Sequence, residues 1–384
     1  MSEYISRCLS SHILEVQSFF PVTVLTGPRQ SGKTSLCRNL FPDFKYVNLE
    51  DITQRAFATN DPNRFLERYS GQVIIDEVQN VPELLSAIQV RVDQDRSQRF
   101  ILTGSSNFAL MRGITQSLAG RSALFNLLPL SLREISERVA AHSTDQILFN
   151  GQYPGVIAGG IPVQYFYSNY YATYVERDVR QLLRVKNILS FDKFVRLLAA
   201  RVGSELNVSA LSKEAGVSAA TVNEWLSILN TSYIIYNVSP YFANISKRLT
   251  KMPKVYFHDT GLLCYLLTLD QPEQLSTHPL RGAIFENLVM GELYKQRLNL
   301  AQQPNLYFYR ESNGKEVDAL IATGGRLHLY EIKSTGTFRA DFEANMKYLA
   351  LQLPEVASTE VIYDGSSLEG VALNFRDLTI GNAK

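Results

Sequence analysis

Eight consecutive residues, Gly27-Pro28-Arg29-Gln30-Ser31-Gly32-Lys33-Thr34, satisfy the pattern G-x-x-x-x-G-K-[ST] at every fixed position. The residue types dictate the chemistry. Glycines let backbone N–H groups turn inward around a β-phosphate, a lysine can reach the β- and γ-phosphates, and a threonine hydroxyl can hold Mg²⁺. Gly27 through Thr34, with Ser35 beside them, are therefore the residues expected to bind ATP. Such a loop must lie between a strand and a helix. The apolar run Val22-Thr23-Val24-Leu25 precedes it, and a helix-like segment, Thr34 to Leu40, follows and would add its positive end.

A second apolar run ends in two acids, Gln72-Val73-Ile74-Ile75-Asp76-Glu77. In a parallel sheet functional groups gather at the carboxyl ends of strands, which would set Asp76 beside Thr34 at the Mg²⁺ water shell. Glu77 would then polarise the attacking water. A third run, Arg99-Phe100-Ile101-Leu102-Thr103, ends in Gly104-Ser105-Ser106-Asn107, and any of Ser105, Ser106 and Asn107 could sense the γ-phosphate. Arg121 and Arg112 are candidates to stabilise the transferring phosphoryl group of a neighbouring subunit.

A different chemistry is written near the C-terminus. Glu316 to Ile321 reads as a strand, Thr323-Gly324-Gly325 as its turn, and Leu327 to Lys333 as the returning strand. Period-two alternation puts Glu331 and Lys333 on one face, and the hairpin can bring Asp318 alongside. Asp318 and Glu331 would hold Mg²⁺ while Lys333 orients the nucleophilic water, and Glu286, on an amphipathic stretch from Gly282 to Val289, could add a third carboxylate. The spacing D-x₁₂-E-x-K resembles the PD-(D/E)xK nuclease superfamily, with Val317 where that pattern has proline.

These sites need several elements to position them. A chain of 384 residues with 45% hydrophobic and 20% charged content is an ordinary globular one with room for two or three domains. Its net charge of +1 does not announce a nucleic-acid binder. Locally, however, residues 169–255 hold twelve Lys/Arg against six Asp/Glu, a balance of +6. Within that segment Val208 to Leu226 has helix-turn-helix character: Leu211 and Ala215 point inward, Gly216 turns, Ser218 caps, and Val222 and Leu226 lie on the second helix. β-rich runs at 233–238 and 254–257 follow, with Lys247, Arg248 and Lys251 on a wing between them. Cys8, Cys37 and Cys264 have neither pairing nor metal-ligand spacing; Met1-Ser2-Glu3-Tyr4 lacks the basic-then-apolar pattern of a signal peptide, so none is expected, and no apolar run reaches membrane length. A cytoplasmic protein without a membrane partner is expected.

The segments in order resemble a prokaryotic family of AAA+ ATPases with a C-terminal domain of unknown function. The resemblance lies in Leu25 to Thr34, Ile75-Asp76-Glu77-Val78-Gln79, Leu102 to Ser106, Ala119-Gly120-Arg121, Val175 to Asp178, His258 to Leu262 and Gly314 to Asp318. It implies an α/β fold: an AAA+-like P-loop parallel sheet at 1–135, a helical connection at 136–200, a winged helix at 201–270 and a restriction-endonuclease-like α/β domain at 271–384. It places a γ-phosphate sensor at the Ser105 strand end and favours Arg121 for a role near the nucleotide. The function expected is ATP hydrolysis coupled to duplex or branched, Holliday-junction-like DNA, with Mg²⁺-dependent nuclease activity and assembly into an oligomer such as a ring. The alternative is a regulatory ATPase switch that binds DNA or a protein partner without further chemistry.

Overall fold

A computed structural model describes residues 3–105, 117–174, 188–242, 252–311 and 314–378. It divides into two units: Met1–Leu130 with Thr231–Tyr233 and Leu298–Gln302, and Ser131–Asn230 with Ile234–Arg297 and Gln303–Lys384.

The first unit is built on a five-stranded sheet in the order β2-β3-β4-β1-β5. Its strands are β1 (Val22–Gly27), β2 (Lys45–Asn48), β3 (Gln72–Asp76), β4 (Arg99–Ser105) and β5 (Ser122–Asn126). Every pairing is parallel. A parallel sheet covered on both faces requires apolar side chains on both, and these strands supply them. Val24, Ile75 and Leu102 enter one core layer, while Leu25, Ile74 and Ile101 enter the other. The helices α1 (Ser10–Val16), α2 (Lys33–Leu40), α3 (Ile52–Asn60), α4 (Pro62–Arg68) and α5 (Leu84–Gln94) belong to this unit. Asp51 and Asp61 start α3 and α4 by accepting the first free backbone N–H groups. β1 lies between β4 and β5, so the strand order reverses beside the loop that follows β1, where open α/β sheets bind ligands.

The second unit has a seven-stranded mixed sheet, β12-β11-β10-β9-β8-β6-β7. Its strands are β6 (Ile235–Pro240), β7 (Lys254–Phe257), β8 (Leu306–Arg310), β9 (Glu316–Thr323), β10 (Arg326–Lys333), β11 (Val356–Tyr363) and β12 (Ala372–Asn374). β9 and β10 form the expected hairpin, and its two-residue turn works because Gly324 (φ 56°) and Gly325 (φ 76°) both take left-handed conformations. Helices Val208–Ala215 and Ala219–Thr231 flank Gly216, which turns at φ 72°. Leu211, Ala215, Val222, Trp225 and Leu226 are buried, and antiparallel β6 and β7 follow.

Two expectations change here. Apart from 231–233 and 298–302, residues 136–200, 201–270 and 271–384 fall together in the second unit, where β6 and β7 continue the sheet begun by β8 to β12. The stretch around Gly282–Val289 is part of a longer helix, Arg281–Asn299, buried on most sides and not amphipathic. That burial includes ions. Glu292 and Lys295 are 1% and 3% exposed and pair at 2.5 Å. Gln152 bonds to both, and Glu292 also accepts the Leu132 N–H. Removing one partner strands a buried charge. Glu292→Ala is expected to cost about 3–5 kcal/mol, and the Glu292→Met/Lys295→Met double variant less, read from urea-denaturation midpoints.

Candidate functional site

The loop after β1 is shaped by steric necessity. Gly27 has φ 149°, and a Cβ placed there would lie 2.2 Å from the Leu127 carbonyl oxygen. Gln30 and Gly32 adopt φ 61° and 95°, curling the backbone before Lys33 begins α2. Arg7, buried, braces the loop from outside by donating to Ser31 O at 2.9 Å and Leu128 O at 2.7 Å. Tyr233, itself at φ 54°, lies 3.0 Å from Thr26 Oγ1 and donates to Asn126 Oδ1, just before the loop.

Lys33 Nζ donates to the carbonyls of Gly27 and Pro28 at 3.0 and 2.8 Å. Burial pulls its pKa down to about 8, against the attraction of Glu77 and Asp76. Ser31 Oγ is buried without a hydrogen-bond partner among the described residues. A desolvated cation and an orphaned hydroxyl in a curled loop at a helix N-terminus are what a phosphate would satisfy. The residues present therefore fit a nucleotide.

Asp76, at the end of β3, accepts from three hydroxyls: Thr34 at 2.7 Å, Tyr46 at 2.8 Å, and Thr103. Thr34 and Asp76 are thus already within reach of one another, and both would hold the Mg²⁺ that accompanies ATP. Glu77 follows in the left-handed region at φ 56°, which re-aims its side chain at the strand end. Gln79 Nε2 donates to Glu77 Oε2 and lies 3.1 Å from Ser105 Oγ. The structure thereby brings together Lys33, Thr34, Asp76 and, through Gln79, Glu77 with Ser105. Arg121 is engaged elsewhere, holding Asp93 by two bonds of 2.6 and 2.9 Å. Ser106, Asn107 and Arg112 lie outside the described residues.

Residues 20–136 match the AAA domain, and 141–273 and 281–376 match two domains of unknown function, DUF8612 and DUF4143. The chain is 32% identical over 361 residues to the uncharacterized protein Rv2008c of Mycobacterium tuberculosis, covering 90% of this chain and 77% of that one. The chain belongs to the Rv2008c family of AAA-domain proteins. Its first unit is a P-loop ATPase domain. The uncharacterized protein MJ1544 of Methanocaldococcus jannaschii is 23% identical, with 93% of this chain and 85% of that one covered. The Walker-type ATPase PABY2304 of Pyrococcus abyssi aligns in structure at a TM-score of 0.43 and 15% identity, covering 67% and 94% of the two chains.

The part of this family member that matches DUF4143 holds the second constellation. Asp318 Oδ2 accepts the Ile332 N–H at 2.8 Å, and Lys333 Nζ lies 2.6 Å from Glu331 Oε1 and 3.7 Å from Asp318 Oδ2. Burial first, then the Asp318 charge, pushes the Glu331 carboxyl up, and its Oε2 has no hydrogen-bond partner among the described residues. Glu286 has partners of its own. It receives Tyr256 OH at 2.6 Å and faces the buried Lys254 at 3.3 Å, while Lys254 reaches Glu316 at 2.6 Å. Among the described residues no three His, Cys, Asp or Glu side chains gather to hold a metal ion. Glu286 is paired there with Tyr256 and Lys254, and a role as third ligand would require it to leave that pairing. Two carboxylates with an open oxygen, Asp318 and Glu331, still suit Mg²⁺, which keeps several waters.

Arg7, Tyr46, Gln79, Thr103, Tyr233 and Lys254 were not singled out by the sequence. Their contacts with residues distant in sequence or with loop carbonyls are set by the fold, so the role of each is not marked by a local pattern. Among the described residues no helix is long and apolar enough to cross a membrane.

The lowered Lys33 pKa sets a pH dependence. Its cation, which attracts phosphate, is fully present below about 8 and lost above it. Affinity for a non-hydrolysable ATP analogue is expected to fall as pH rises through that value, by at most about tenfold per unit. Titration calorimetry on Lys33→Met should show weak, pH-independent binding.

Proposed function

We propose that this protein hydrolyses ATP in its first unit and binds duplex or branched DNA through its second. The observation that carries the first part is the assembly of Lys33, Thr34 and Asp76 around one loop, with Glu77 at the adjoining strand end. Lys33 exchanges two loop carbonyls for phosphate oxygens. Glu77 takes the proton of the attacking water, and Lys33 with the loop N–H groups receives the charge that develops on the γ-phosphoryl oxygens. Thr34 and Asp76 would hold Mg²⁺, which would supply further charge neutralisation. Lys33→Ala should abolish turnover. Glu77→Gln should bind ATP yet hydrolyse it at least about a hundredfold more slowly.

DNA binding is supported by the helix pair 208–231 followed by antiparallel β6 and β7, a winged-helix order, and by the +6 balance of 169–255. The basic stretch Lys247, Arg248 and Lys251 lies outside the described residues. ATP turnover measured without DNA, with linear duplex and with a four-way junction at low salt tests the coupling. Stimulation by the junction is the expected result; flat rates in all three would instead favour the regulatory switch acting on a protein partner. Self-association would let Arg121 serve a neighbouring active site once released from Asp93.

The open Glu331 Oε2 beside Asp318 favours a nuclease as a second reading. The order of helix 281–299, β8, β9, β10, helix 344–352 and β11 supports a restriction-endonuclease-like fold. Glu331→Ala and Lys333→Ala should each lose Mg²⁺-dependent cleavage of plasmid DNA. Cleavage persisting in both would remove this activity.

A further inference from the structure

Gln79 stands on the short turn Val78–Asn80, two residues beyond the proposed water-activating Glu77. Its side chain is an amide with one donating and one accepting end. A carboxylate only accepts, so Nε2 and not Oε1 must face Glu77. The same nitrogen lies 3.1 Å from Ser105 Oγ at the tip of β4. The amide plane is therefore fixed at two points on separate elements. Its other end, Oε1, is buried and lacks a hydrogen-bond partner among the described residues. A native structure rarely leaves a buried acceptor unsatisfied, and such a group calls for a ligand.

We propose that Gln79 is a further catalytic residue of ATP hydrolysis, its Oε1 being the second acceptor that orients the attacking water. This rests on the hydrolysis reading above. A nucleophilic water has two protons and must aim a lone pair at phosphorus. Glu77 takes one proton, and Gln79 Oε1 accepts a hydrogen bond from the other, which leaves one lone pair directed by both. The water oxygen bonds to the γ-phosphorus, the bond from phosphorus to the β–γ bridging oxygen breaks, and ADP departs with that electron pair. Glu77 holds the released proton and returns it to solvent. Because Nε2 also restrains Glu77, both acceptors are set by one side chain. Ser105 keeps that side chain in register with β4. The γ-phosphate sensing expected of Ser105 would then act through Gln79.

The test compares wild type, Gln79→Ala, Gln79→Glu, Glu77→Gln and the Glu77→Gln/Gln79→Ala double variant in the full-length chain. Turnover and KM for ATP are measured, with analogue affinity as a check on the fold. Gln79→Ala should lower kcat about 10–100-fold with KM and analogue affinity within about threefold. Gln79→Glu keeps the size but sets a second carboxylate against Glu77, and should be at least as slow. In the Glu77→Gln background, removing Gln79 should cost much less than it does in wild type, since both act on one water. Wild-type kcat in Gln79→Ala, near-wild-type kcat in Gln79→Glu, or a full multiplicative loss in the double variant would overturn the assignment. Wild-type turnover in Glu77→Gln would instead remove the hydrolysis reading, and this proposal with it.

Discussion

One carboxylate organises the nucleotide site. Asp76 collects hydroxyls from α2, β2 and β4, three elements that share no local sequence. The arrangement depends on β3 lying between β2 and β4, with β4 between β3 and β1. Because all of these strands are parallel, their carboxyl ends finish on one side, and side chains there meet at hydrogen-bond distance. The sheet order is in turn held by apolar residues on both faces, such as Ile74 on one and Ile75 on the other. Core packing thus fixes where a polar hub can form, and the hub fixes Thr34 at the start of α2. Lys33 follows from the same constraint: one residue before Thr34, its ammonium can only fold over the loop.

The same constraint decides which parts of the site are legible in the sequence. Gly27, Gly32, Lys33 and Thr34 are contiguous, and the backbone geometry of one loop demands them. Asp76 and Glu77 are legible because a buried strand running into two acids is costly unless a metal ion or a water meets them at its end. Tyr46 and Thr103 are not legible, since each looks like an ordinary strand residue until the register sets it beside Asp76. Gln79 stands within the stretch Ile75 to Gln79 that carries the family resemblance, yet its role is visible only through the bonds to Glu77 and Ser105. Arg7 acts by holding backbone carbonyls, a function that any buried cation of the right reach could serve.

The second unit shows the opposite balance. The β9–β10 hairpin, with its Gly-Gly turn, is clear from alternation and turn chemistry. The helix Arg281–Asn299 escapes a periodicity argument because its burial breaks the polar–apolar stripe on which that argument depends. Its polar residues face inward and are matched there. Asn287 bonds to both the N–H and the carbonyl of Phe257 on β7, at 2.7 and 2.9 Å, covering backbone groups at the end of the sheet order. Glu292 and Lys295 neutralise each other. Glu286, on the same helix, invites a metal assignment because it is a lone acid near a hairpin of acids. Lys254, which lies 32 positions earlier in sequence, pairs with it.

The continuous sheet also constrains any DNA interface. β6 and β7, which follow the helix pair, belong to the same sheet as Asp318 and Glu331, so the two features are parts of one body. On the second helix of the pair, Ala219, Ala220, Asn223, Glu224 and Ser227 are exposed, and none is a cation. Ser218 and Thr221 engage each other at 2.8 Å, which leaves Asn223 as the exposed amide able to read a base edge. A helix so equipped discriminates poorly among sequences. A duplex bound to this unit would be held through its phosphates by cations elsewhere and chosen by its shape. Recognition by shape would suit a branched substrate better than a sequence-defined one, so under the proposed DNA-binding reading salt dependence and junction preference would go together.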